Sequence, residues 1–506
     1  MNDRPARLRE SLALLRAGRF AAAAQAAEPL AVAGDVDAML LAGLARGAIG
    51  EIEAAAALLA AVARARPGHA HPVAELPPFL RQAGREAEIE AHLRAALRHA
   101  PEDARLLPLL GEFLLREGRP AEVLTLLPGD GSLPALRGAA LAALGRMQEA
   151  IAAFAAATEA SPRDAAAWSN LGKALAAEAH FDGAIAALDR AAALAPADAQ
   201  IGLNRAVALL KAGRLPAGWE AFEARLRLPG HTTPPAARRL PGPTAIAGRT
   251  VLLTHEEGFG DTLMLLRYAP LLARAGARVI AQVPRELARL AAAVEGVPAV
   301  VAPGATPAFD YHCPFMSLPR AFATTLATIP AALPYLHPPP EAIAAWSRAL
   351  AGVPRPRVGL CWAGAPRRGV PGAAMVDRQR SLDPTLLAPL AGLPGISFVG
   401  LQMGEGPVPP GLRLHRVMHR VADFADTAAI AMHLDLVVSV DTAVVHVAGG
   451  AGRPVWLLDR YDNCWRWLSG REDSPWYPGL RIFRQHRAGA WEPVVARLVE
   501  SLRDLW

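Results

Sequence analysis

The sequence predicts a multidomain chain in which an all-α solenoid of repeats precedes an α/β region built from two parallel-sheet lobes. Three observations carry this expectation. Proline, glycine and alanine recur at a fixed interval of 34 residues through the first half, a Pro/Gly-rich stretch at 228–249 breaks helical periodicity, and strand-turn-helix-strand patterns follow it. At 506 residues the chain exceeds one ordinary core, so two to four domains are expected.

The interval separates Pro67 from Pro101, Pro162 from Pro196, Gly138 from Gly172, Ala150 from Ala184 and Ala157 from Ala191. This is the period of the tetratricopeptide repeat (TPR), a pair of antiparallel helices. Residues 165–198 fit best, with Trp168, Leu171, Gly172 and Leu175 on the first helix, Ala184, Leu188 and Ala191 on the second, and Pro196 closing the unit. Small residues at Gly172 and Ala184 let two helices approach, while larger ones fill the space between neighbouring units. Residues 131–164 repeat the pattern with Gly138, Ala150, Phe154, Ala157 and Pro162. Residues 36–69 do so with Gly43, Ala55, Leu59 and Pro67, although Val62 replaces an alanine. Residues 70–130 are less regular, and a degenerate unit from about 199 to 227 ends in Gly218-Trp219 through Arg225. Six or seven units are expected over residues 1–227. Their concave face suits an extended peptide, so a protein partner is expected there; capping or dimerising the second half is the alternative.

Of 53 basic residues only Lys173 and Lys211 are lysines, and the net charge is +6. The basic residues are scattered among acids and lack interleaved aromatics, so no nucleic-acid partner is expected. No apolar run reaches spanning length, and Met1-Asn2-Asp3-Arg4 lacks the basic-then-apolar order of a secretion signal. A cytoplasmic protein without a membrane span is expected. Cys313, Cys361 and Cys464 match no metal-ligand spacing and suggest no disulfide framework.

Beyond the linker, a first lobe over residues 250–345 opens with a buried strand at Thr250–Thr254, a tight turn at Gly258-Phe259-Gly260-Asp261, a helix from Thr262 to Ala275 and a second strand from Arg278. A second lobe over residues 346–506 has strands at Arg357–Trp362, Ile396–Gln402, Leu434–Val440 and Val455–Leu458, with an amphipathic segment, Trp491–Trp506, expected to pack back across the first lobe. Ligands of such sheets sit outside the carboxyl ends of the strands, where Gly258–Asp261, Trp362–Gly364, Gln402 and Asp441-Thr442 fall. The stretch from Leu436 to Gly450 is the most informative. An apolar strand stops at an Asp-Thr pair able to cap a helix, which carries Thr442 and His446 on one face before Gly449-Gly450. The unpaired N–H groups of its first turn form an anion site suited to a diphosphate. Arg380 with Ser381 is the expected charged partner, because guanidinium grips phosphate oxygens in pairs.

At these residues the chain resembles bacterial fusions of TPRs with a GT-B glycosyltransferase, related to the heptosyltransferase-like family 9 and more distantly to the protein O-GlcNAc transferases. The matching pieces are His255–Thr262, Ser317-Leu318-Pro319, Gly359–Gly364, Asp377 with Arg380-Ser381, Leu401-Gln402, Asp423–Thr427, Asp441–Gly449, Trp465-Arg466-Trp467, Ser474–Pro478 and Phe483-Arg484-Gln485. Glu257, Val447, Arg453 and the Asp462-Asn463-Cys464 connection depart from the usual pattern.

The resemblance implies two Rossmann-like lobes, a nucleotide-sugar as co-substrate, no other cofactor and no bound metal. It makes Asp261 the catalytic general base, on the acceptor side, with helix capping as the alternative role. Gly258, Gly260, Arg380, Ser381, Gln402, Asp441, Thr442 and His446 form the expected donor and diphosphate set. A satisfied core histidine at 446 and a surface arginine at 380 are the alternatives. Trp362, Trp465, Trp467 and Trp476 either stack on a nucleobase or fill interface core, and Asp423 and Asp426 are expected to orient a loop. The expected function is transfer of a sugar to a protein gripped by the repeats, flagellin-like or other surface proteins included. A non-catalytic scaffold in a surface-polysaccharide or export assembly, and a transferase acting on a lipid-linked glycan, are the alternatives.

Overall fold

The computed structural model describes residues 4–68, 70–127, 129, 131–231, 238–365, 371–404 and 406–506; the middle of the expected linker, 232–237, lies outside the described residues. The chain divides into two compact units, Met1–Pro162 and Arg163–Trp506.

The first unit is five helical hairpins: Arg4–Arg16 with Phe20–Val32, Val36–Ala48 with Ile52–Ala65, Ala70–Gln82 with Ala87–Leu97, Leu106–Arg116 with Pro120–Leu126, and Pro134–Ala143 with Met147–Ala160. The periodic glycines mark close helix approach. A Cβ on Gly138 would lie 2.7 Å from the Phe154 ring, and one on Gly111 would lie 2.5 Å from Leu136. The irregular stretch 70–130 still folds as two hairpins. Its core is Leu76, Leu80, Ile89, Leu93, Leu106, Leu110 and Leu114, so large aliphatic side chains carry most of the packing and Gly111 keeps one close approach.

The second unit opens with two further hairpins, Ala165–Ala177 with Phe181–Leu194 and Ala199–Lys211 with Leu215–Phe222, closed by a 3₁₀ turn at Glu223–Arg227. Seven hairpins are thus seen among the described residues. The last one shares its core with the lobes: Leu210, Leu215, Trp219 and Phe222 pack in one buried cluster with Leu263, Tyr268, Trp465 and Trp476.

The first lobe is a four-stranded sheet ordered β3 (Ala299–Val301), β2 (Arg278–Gln282), β1 (Thr250–Thr254), β4 (Tyr311–Pro314). The second is six-stranded: β10 (Leu480–Arg484), β9 (Val455–Asp459), β8 (Leu436–Val440), β5 (Arg357–Cys361), β6 (Ser397–Gly400), β7 (Leu414–Arg416). Every pairing is parallel. All five residues of β8 are buried, as expected of a central parallel strand covered on both faces. The strand order reverses between β5 and β8, where Cys361 stands opposite Ser439, and that crevice is where such a sheet takes its ligand.

Two expectations are corrected. The helix expected from Thr262 starts at Phe259, so Asp261 lies within its first turn, and it is interrupted by a 3₁₀ turn at Leu266–Tyr268. Pro270 explains the break: its ring excludes the carbonyl four residues back, and a new helix, Ala269–Arg274, starts around it. The C-terminal helix Glu492–Leu505 packs on the second lobe, not the first. Its Val494, Val495, Leu498 and Leu502 join Val358, Leu360 and Phe398 of the six-stranded sheet, the nearest apolar face its own lobe leaves open.

Candidate functional site

The crevice at the β5/β8 reversal is shaped by side chains that hold backbone. Gln402, just past β6, accepts from Trp362 N at 3.1 Å and Ala363 N at 2.9 Å through Oε1, and donates from Nε2 to Ala363 O at 3.1 Å. Ser381 Oγ accepts from Gly364 N at 3.2 Å. The loop after β5 is therefore fixed on both sides, and these two expected donor residues shape the site with groups already engaged. Arg380 donates to Asp377 at 2.7 Å and to the Asp441 carbonyl at 2.7 Å. Its guanidinium lies over Gly364, where a Cβ would fall 2.4 Å away, so a larger residue there would push the guanidinium aside.

Thr442, not Asp441, caps the helix Ala443–Gly450. Its hydroxyl accepts from Val444 N at 3.3 Å and meets Ser439 Oγ at 3.1 Å, while its backbone is extended. Thr442 thus precedes the helix, and the expected single face shared with His446 is not formed. Both residue types cap well, and backbone conformation decides between them. The Asp441 carboxyl is half-buried at the strand end. Burial raises its pKa, opposed by Arg380, Arg460 and the Trp467 indole N–H. Asp459, ending the adjacent strand β9, is pushed up to about 6 by burial, against Arg484 and with the help of Asp441. Arg484 Nε donates to one Asp459 oxygen at 2.9 Å.

His446 is 4% exposed, bonds through Nδ1 to the Tyr477 hydroxyl at 2.9 Å, and stacks on Trp467 with centroids 5.4 Å apart. Burial and the nearby charge of Arg267 bring its pKa down to about 3, so it is neutral at physiological pH. This geometry is that of a buried core histidine held through Nδ1. Trp467 and Trp476 are equally interior, as interface core requires.

The first lobe meets this helix directly. A Cβ on Gly260 would lie 2.7 Å from the His446 ring and 3.5 Å from the Ala443 Cα, so the two helix starts touch at a glycine. Asp261 Oδ2 accepts from Gly258 N at 2.9 Å, the capping role, and Oδ1 pairs with Arg466. Both oxygens are engaged. The Gly258 N–H, expected to face a phosphate, is taken by Asp261, and Gly260 serves as packing surface. Asp423 and Asp426 fasten the lobes together, accepting from Arg289 at 2.8 and 2.6 Å.

Sequence reading missed two arginines. Arg466 lies inside the Trp465-Arg466-Trp467 motif, and its partner Asp261 is 205 residues away, beyond any local pattern. Arg267 is 3% exposed and pairs with no carboxylate among the described residues. It donates to Trp476 O at 2.6 Å, Pro330 O at 3.0 Å and Tyr335 OH at 3.2 Å, with the Tyr335 and Tyr477 rings 4.7 and 4.6 Å away. A lone arginine in the apolar run Met264-Leu265-Leu266-Arg267-Tyr268 was the available signal.

The chain thus joins tetratricopeptide hairpins to an α/β region of two parallel sheets, four-stranded and six-stranded. A tetratricopeptide-repeat family model matches residues 136–199 and 170–228. Protein FlbA of Caulobacter vibrioides is 27% identical over 504 residues, covering 89% of this chain and 76% of that protein. Among solved structures, a glycosyl transferase family 9 protein from Veillonella parvula is 11% identical with a TM-score of 0.34, covering 47% of this chain and 87% of its own. The APC/C hetero-tetramer Cut9-Hcn1 gives 19% and 0.33, covering 38% of this chain; this chain spans 39% of that one. Likenesses of that size carry no conclusion of their own, and the repeat period and strand order define the two halves. Among the described residues no helix is long and apolar enough to cross a membrane.

Proposed function

We propose that the protein is a cytoplasmic glycosyltransferase that moves a sugar from a nucleotide-sugar onto a protein acceptor held by the repeats. One observation carries this reading: helix Ala443–Gly450 starts where β8 ends at the strand-order reversal, with its amino end against the helix bearing Asp261 on the other lobe. A diphosphate seated there gains about 0.3–1 kcal/mol from the helix end at an exposed position, and up to ~2 when partly buried. In the transfer, the acceptor oxygen bonds to the anomeric carbon, the bond from that carbon to the phosphate oxygen breaks, and the nucleotide leaves. Asp261, held in place by Arg466, takes the acceptor proton through a remaining oxygen lone pair. Stacked hairpins suit an extended peptide, and the resemblance brings in flagellin-like or other surface proteins as acceptors.

The closed Asp261–Arg466 pair is the one observation that favours a non-catalytic scaffold. Incubation with UDP-, GDP-, ADP- and CMP-sugars separates the two readings. Release of free nucleotide by the wild type and its loss in Asp261→Asn supports the transferase. No release from any donor, with no donor raising the melting temperature, supports the scaffold.

A further inference from the structure

We infer that the last repeat is a working part of the active site, with Lys211 a positioning residue that holds, through Asp462, the loop presenting Arg466 to Asp261. The catalytic half of its test rests on the transferase reading above. Lys211 is one of two lysines in the chain, ends helix Ala199–Lys211, and has a side chain only 5% exposed. A buried ammonium is unfavourable unless paired, and its partner is Asp462, whose side chain is 45% exposed.

The loop from Arg460 to Trp467 follows β9 and is tied to the repeats at three points. Besides Lys211–Asp462, the Tyr461 hydroxyl donates to Glu178 at 3.1 Å, at the end of the preceding repeat's first helix. The Trp219 ring meets Trp465 edge-on at 5.2 Å. Within a few residues of these ties, Arg466 pairs with Asp261 and Trp467 stacks on His446.

The opposite wall is anchored from the same repeat. Arg225, fully buried, donates to Glu256 at 2.5 Å, to Ser317 at 2.8 Å and to Glu223 at 3.0 Å. Glu256 lies in the β1 loop that leads to Asp261. Both loops flanking the proposed base are therefore braced by repeat elements, and the Arg466–Asp261 distance follows the position of helix Ala199–Lys211.

The test uses the full chain with Lys211→Met, Lys211→Arg, Asp462→Asn and the swap Lys211→Asp/Asp462→Lys, compared by hydrogen exchange over residues 460–468 and by donor turnover. Lys211→Met and Asp462→Asn should speed exchange in that segment and lower kcat by about tenfold or more, with the donor KM nearly unchanged, since misplacement acts on the transition state. Lys211→Arg and the swap should restore both. Asp462→Asn alters the solvent-facing partner and keeps the test open if Lys211→Met does not fold. Wild-type exchange and kcat in Asp462→Asn, or a folded swap that restores neither, would overturn the inference. If the wild type turns over no donor, the transferase reading falls and exchange alone decides: fast in Asp462→Asn and restored in the swap upholds the brace, and unchanged in Asp462→Asn refutes it.

Discussion

The hairpin Pro134–Ala160 and the hairpin Ala199–Phe222 follow one repeat pattern and use it differently. In both, a glycine brings the helices together: a Cβ on Gly138 would meet Phe154 at 2.7 Å, and one on Gly218 would meet Leu210 at 2.6 Å. Charge separates them. Arg146 and Glu149 of the earlier hairpin form an ion pair with both side chains about half exposed, whereas Lys211, Trp219 and Arg225 of the later one are buried. Periodic small residues build the solenoid, and buried charge with a large aromatic marks where a repeat becomes part of another fold.

Breaking the buried charge of the later hairpin should have the largest effect. Arg225→Met removes the buried cation shared by Glu223 and Glu256, leaving Glu223 with Arg320 alone, and a loss of about 3–5 kcal/mol is expected, read as a lower unfolding midpoint in denaturant.

Glycine substitutions sharpen the comparison at smaller cost. Gly138→Ala and Gly172→Ala should each destabilise by about 1–3 kcal/mol through overpacking, with Gly172→Ala the worse because backbone, at the Ala184 carbonyl 3.0 Å away, cannot yield. Only Gly172→Ala should also reduce donor turnover, since its helix leads to Glu178 and so to Tyr461.

A pH titration addresses the lobes. His446 has a folded pKa of about 3 against 6.5 unfolded, so below 6.5 the unfolded chain takes a proton that the folded one refuses. Stability from this group is complete above 6.5 and falls as pH drops towards 3, by up to about 1.4 kcal/mol per unit. Asp459 opposes it, since its folded value of about 6 lies above 3.8 and stability is gained as pH falls through that window. His446→Gln should therefore lose less stability than the wild type, or gain more, as pH falls from 6 to 4, measured by thermal melting of the two proteins side by side. Smallest of all, Arg146→Ala should leave both melting temperature and turnover unchanged, because exposed pairs contribute little.

Legibility followed locality. The hairpins with small residues at the interval, and the long apolar strands β1, β5 and β8, were readable because their pattern lies within a few tens of residues. The short strands β3 and β7 were not, being edge strands of three residues with mixed burial. The tasks of the expected site residues depend on partners far along the chain. Gln402 holds Trp362 and Ala363, and Asp261 is taken by Arg466. Neither propensity nor period encodes those pairings. The contact between Lys211 and Asp462 spans 251 residues and has no periodic signal at all.

The most direct test of the proposed donor site is a crystal structure of the protein soaked with the nucleotide-sugar that most raises its melting temperature. The account predicts diphosphate density at the amino end of helix Ala443–Gly450, within hydrogen-bond reach of the Ala443 N–H and the Thr442 hydroxyl. A nucleotide bound away from the β5/β8 crevice would contradict it.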